Sequence, residues 1–148
     1  MPVGLYLLAF AAGVVLIVQV GVNTTLRDAL GAPAVAALVS FLIGSIALVA
    51  FILLSRTTWP PREHWGATPW WAWVGGMLGA FYVVSTIIAG PRLGAAALLA
   101  LIVLGQLATS LMVDHFGWLG FPQHSITPLR LLGALLLFGG VLLIVHRS

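Results

Sequence analysis

Residues 90–114 read GPRLGAAALLALIVLGQLATSLMVD, a Gly/Pro turn with one charge followed by a long apolar run. From Leu93 to Val113 there are 21 residues without a charge, which meets the roughly 20 that an α-helix needs to cross a bilayer core of about 30 Å. Within the run Gln106, Ser110 and Asp114 recur at every fourth position and therefore share one helix face. Lipid cannot satisfy such a stripe, so it is expected to look toward other helices or a wet cavity. The stretch predicts a buried membrane helix entered through a tight reversal at Gly90–Gly94.

The rest of the chain repeats the pattern. Of its 148 residues 61% are hydrophobic and 6% charged, a composition for lipid rather than water. Apolar blocks occupy about 3–25, 33–55, 70–90, 93–114 and 129–146, which gives an all-α membrane protein with five transmembrane helices in a single domain, residues 1–148. Asn23, Thr24 and Thr25 begin the polar end of the first block, with Arg27-Asp28 at the boundary. The segment from Arg56 to Thr68, with Pro60-Pro61 and Arg62-Glu63-His64, reads as a loop in water. Trp59, Trp65, Trp70, Trp71 and Trp118 flank the blocks, where aromatic belts sit. Ala9-Phe10-Ala11 imitates a signal-peptidase site, but no basic residue precedes it and the apolar run continues, so a cleaved leader is not expected.

Cysteine is absent, which excludes disulfides and thiol chemistry. His64, His115, His124 and His146 lack metal-ligand spacing, so neither a metal nor any other cofactor is expected. No nucleophile, base and orienting group come together, which argues against an enzyme. The high pI reflects few acids rather than a basic patch, so nucleic acid is not an expected partner.

With five short-looped spans the two termini lie on opposite sides. Arg56, Arg62 and Arg130 then share the N-terminal side, and Arg27, Arg92 and Arg147 the other. Three against three leaves little for the positive-inside rule to act on. Either one arginine dominates and the chain inserts one way, or copies insert both ways and pair antiparallel, with the symmetry of an inverted-repeat transporter. In such a pair Asp114 of one copy shares a membrane face with Arg92 of the other.

Several tracts together resemble a known family. They are Gln19 with Asn23-Thr24-Thr25-Leu26; Trp70-Trp71 leading into Gly75-Gly76-Met77-Leu78-Gly79; Leu93-Gly94-Ala95-Ala96; Gly105-Gln106-Leu107; Leu111-Met112-Val113-Asp114; and Leu129-Arg130 with Gly133-Ala134. In order and spacing they resemble the YdcZ-like family of five-helix membrane proteins, within the drug/metabolite transporter superfamily. The resemblance implies a half-transporter of the bacterial inner membrane that works as an antiparallel homodimer on a small-molecule substrate. The last block, with Gly133, Gly139 and Gly140, also resembles the pairing helix of four-helix small multidrug transporters. Those relatives carry a membrane-embedded Glu in their first helix. This first helix has Gln19 and Asn23 instead, and their proton coupling does not carry over.

The expected substrate pathway is Gln19, Asn23, Ser40, Tyr82, Gln106, Ser110 and Asp114, for small hydrophobic or cationic molecules moved by alternating access. Gln106 leads, because a primary amide in mid-membrane is costly unless paired. Against this stands a purely structural hydrogen bond to a neighbouring helix. Ser85 and Thr86 could add hydroxyls, although such groups usually bond their own backbone. Close packing is expected at Gly75, Gly79, Gly133, Gly139 and Gly140, within or between chains. Two other readings remain: a scaffold subunit that transports nothing, and a passive pore for small solutes.

Overall fold

The computed structural model describes residues 3–146 and is helical throughout apart from short connections. Arg147 lies outside the described residues. Helix α1 (Val3–Leu30) and α2 (Pro33–Leu54) are followed by a short α3 (Arg62–Ala67) and a single 3₁₀ turn at Trp70–Val74. Then come α4 (Gly75–Phe116), a second 3₁₀ turn at Trp118–Gly120, and α5 (Pro128–His146). Four of these helices are long and apolar enough to cross a membrane.

The boundaries follow from local chemistry. Asn23-Thr24-Thr25 does not end α1, which continues to Leu30. The Thr24 hydroxyl donates to the Val20 carbonyl (2.9 Å) and Thr25 to Gly21 (3.2 Å), so the helix absorbs these polar groups and runs just past Arg27-Asp28. The stop comes at Gly31, whose φ of 76° lets its N–H return to the Arg27 carbonyl at 2.8 Å. Pro33 then opens α2 at a position where a missing N–H costs nothing. The segment after α2 is not all loop. Pro61 precedes α3, and Trp65, held by Nε1–H to the Pro60 carbonyl, stacks between Trp59 (6.5 Å) and Trp73 (5.7 Å).

Helix α4 has 42 residues, about twice the roughly 20 that one crossing of a bilayer core needs. The expected reversal over Gly90–Gly94 is narrower than the sequence suggested. Residues 90–93 stay helical across Pro91, and the interruption falls at Gly94 alone, with φ 76° and ψ 158°. Only glycine takes that conformation without strain. It divides α4 into arms 75–93 and 95–116, each of bilayer length.

The chain forms two compact units that divide between Gly90 and Pro91. In the first, α1 and α2 pack together, and Ala36, Ala37, Val83 and Ile87 form a small core flanked by Leu26, Tyr82 and Val84. The alanines of α2 let the other backbones approach. In the second unit Ala97, Leu98 and Val141 are buried. Most other large apolar side chains are exposed, from Leu8 and Phe10 to Leu136 and Leu143, and most of the rest are half-buried. In water so much apolar surface would drive association; lipid solvates it.

Candidate functional site

The first unit contains a cleft of about 300 Å³ lined by Gln19 of α1, by Ser40, Phe41, Gly44, Ser45 and Leu48 of α2, and by Val83 of α4. Gln19 lies one turn before Asn23, and Ser40 lies one turn before Gly44, so each helix offers one polar or small edge to it. Phe41 closes against Gly79, where an added Cβ would lie 3.6 Å from the ring. Among the described residues the side chains of Gln19, Ser40 and Ser45 make no hydrogen bond, unlike Thr24, Thr25 and Thr86, whose hydroxyls bond backbone carbonyls. The cleft therefore keeps one carboxamide and two hydroxyls in reserve.

Two further polar groups sit in the same three-helix packing. Asn23 is 3% exposed, and the Tyr82 hydroxyl is buried without a partner. Beyond them Arg27 pairs with Asp28 and donates from Nη1 to the Ile87 carbonyl at 3.2 Å.

The second unit holds a separate hollow of about 430 Å³ lined by Leu107, Ser110, Leu111, Asp114, Arg130, Gly133 and Ala134. Arg130 Nη1 donates to Asp114 Oδ2 at 3.2 Å and to the His124 carbonyl at 3.3 Å. Asp114 thus has a cationic partner within its own chain and does not need Arg92 of a second copy to neutralise it. The connection from Gly117 to Thr127 is tied to this point. The His124 N–H reaches the Asp114 carbonyl (2.7 Å), Gln123 Nε2 the His115 carbonyl (2.9 Å), and the Ile126 N–H the His115 Nδ1 (3.3 Å).

The structure gathers Gln19 with Ser40, and Ser110 with Asp114, but does not set Gln106 in either hollow. Gln106 and Ser110 are exposed on a single chain, so the stripe expected to face inward is uncovered there. Among the glycines, Gly79 alone of the five singled out meets a side chain; at Gly75, Gly133, Gly139 and Gly140 a Cβ would meet nothing within 4 Å. Phe41, Gly44, Ser45 and Leu48 escaped the sequence reading as cleft residues. The signal for Gly44 and Ser45 was their place one turn beyond Ser40 on the same helix.

Long apolar helices with uncovered lipid-type surfaces define a multi-pass helical membrane protein. The chain belongs to the YdcZ family, whose description, "Putative inner membrane exporter, YdcZ", matches residues 4–143. It is 31% identical over 138 residues to the inner membrane protein YdcZ of Escherichia coli (strain K12), covering 93% of this chain and 92% of that protein. No solved structure shows significant similarity.

Proposed function

We propose that this protein is a half-transporter that crosses the membrane five times, pairs with an antiparallel copy of itself, and moves small hydrophobic or cationic organic molecules by alternating access. The observation that carries the reading is the three-helix cleft, in which Gln19, Ser40 and Ser45 present unused hydrogen-bonding groups at membrane depth. Polar groups with no structural employment inside a membrane are expensive, and a passing ligand is the economical reason to keep them. The family's description as an exporter supports the same reading. Gln106 and Ser110, exposed on one chain, would face a wet cavity shared with the second copy rather than make the contact that holds it.

The test is flux in reconstituted vesicles together with assembly in detergent. Gln19→Leu and Gln106→Leu should each lower flux at least several-fold and leave expression and dimer content unchanged, since an apolar side chain is cheap at those depths. Normal flux in both variants would make these amides structural. Lost assembly with flux unaffected per dimer would favour the scaffold.

A further inference from the structure

We infer that the three-helix cleft selects an uncharged ligand, one hydrogen-bonding group on an apolar body, and discriminates against the cations in the proposal above. The inference rests on the transport reading and narrows its substrate class. The chain carries three acidic residues, Asp28, Glu63 and Asp114. Asp28 is paired with Arg27, and Asp114 with Arg130. Glu63 lies on the exposed helix α3, in the connection between membrane segments. None lines the cleft, whose wall is Gln19, two serines, glycine and the side chains of Phe41, Leu48 and Val83. A second copy of the same chain brings the same three acids, so a dimer adds no free carboxylate side chain.

A cation entering such a cleft leaves its hydration shell and finds no counter-charge. Amide and hydroxyl dipoles compensate only part of that loss. Phe41 offers one aromatic ring, and a single ring does not make a cationic cage. An anion fares no better, because Arg27 already serves Asp28 and the Ile87 carbonyl and does not line the cleft. A neutral amide, alcohol or oxide gains from the same wall. The free hydroxyls of Ser40 and Ser45 and the Gln19 carboxamide can donate and accept, while the apolar side chains take the ligand's body. A volume of about 300 Å³ suits a molecule at the small end of ordinary ligand sites.

Three probes with one aryl body separate the contributions: triphenylphosphine oxide (neutral acceptor), triphenylmethane (apolar only) and methyltriphenylphosphonium (cation). Each is titrated against the purified full chain in an uncharged detergent, and the rise in apparent Tm gives the half-saturating concentration. The oxide should saturate at a concentration at least tenfold below that of the phosphonium and below that of triphenylmethane. Gln19→Leu combined with Ser40→Ala should remove the oxide's advantage and leave the ligand-free Tm within a few degrees. Equal or tighter binding of the phosphonium overturns the charge selection and leaves transport standing. If no probe shifts Tm while reconstituted wild type still shows flux, the cleft is not the binding site and the inference falls alone. Absence of wild-type flux would instead remove the transport reading, which this titration does not measure.

Discussion

Arg27 Nη1 donates to the carbonyl oxygen of Ile87 at 3.2 Å, and Ile87 lies four residues before Pro91. In a helix that carbonyl would accept the N–H of residue 91, which proline lacks. The guanidinium thus supplies from α1 the donor that α4 has lost, at a residue that is completely buried. An orphaned buried carbonyl is costly, and lipid offers no replacement.

The relationship is testable as a cycle. Arg27→Met keeps most of the side-chain stem and should cost about 1.5–3 kcal/mol of stability, the loss of one charged hydrogen bond. Pro91→Ala restores the backbone donor, so in that background Arg27→Met should cost less than half as much. The exposed pair with Asp28 contributes little to either measurement. Equal costs in both backgrounds, read by thermal unfolding in detergent, would show that Arg27 does not act through Ile87.

Glycine substitutions should separate contacts within the chain from contacts between copies. A Cβ at position 79 falls at an ordinary 3.6 Å from Phe41, so Gly79→Ala should leave stability within about 0.5 kcal/mol and preserve the cleft. Positions 133 and 140 have open space within the chain. Gly133→Leu and Gly140→Leu should therefore leave the monomer's helicity unchanged but weaken dimerisation, measured by crosslinking or light scattering, if α5 is the pairing helix. Unchanged dimer content in both would move the pairing surface elsewhere.

The hollow beside Asp114 predicts local effects. Arg130→Gln removes the tie to Asp114 and weakens the hold on the His124 carbonyl. Hydrogen exchange at the His124 and Ile126 amides should accelerate several-fold while exchange in α1 and α2 stays the same. The ion pair itself is partly exposed, so global stability should change by less than about 1 kcal/mol. Unaltered exchange at both amides would mean that the connection is held by its backbone bonds alone.

Topology gives the fourth prediction. With three arginines expected on each side, reporters fused at the C-terminus should show both orientations in comparable amounts. Two arginines added between Arg56 and Thr68 should fix one orientation. A wild-type reporter found on one side only would rule out the antiparallel pairing of oppositely inserted copies.

The helical class and the approximate places of the long apolar helices were legible in the sequence because lipid imposes one simple pattern, about 20 apolar residues bounded by charge or proline. Where local chemistry opposed the pattern, the reading slipped. The first span is bounded near residue 25 in sequence because the polarity of Asn23 to Thr25 is visible there, while the backbone bonds by which Thr24 and Thr25 join a helix reaching Leu30 are not. Gly90-Pro91 looked like the turn, yet the break needs a positive φ and falls at Gly94. Of the candidate site, Gln19 and Ser40 were found from polarity against an apolar background. Gln106 was found the same way, but its exposure depends on which neighbours cover it, and periodicity carries no such information. The bond from Arg27 to Ile87 joins residues 60 apart and was beyond any local pattern, although Pro91 does announce an orphaned carbonyl four residues earlier.

The stack of Trp59, Trp65 and Trp73 has a spectroscopic consequence. Three of the six indoles in the chain lie in one ladder with ring centres 5.7 and 6.5 Å apart, close enough for their excited states to couple. Near-ultraviolet dichroism and intrinsic emission will therefore report disproportionately on α3 and its flanks, with the remaining indoles at Trp70, Trp71 and Trp118 as background. An optical change on adding a compound then reads first as a disturbance of this ladder, and a Trp65→Phe chain supplies the baseline against which any signal from the cleft is judged.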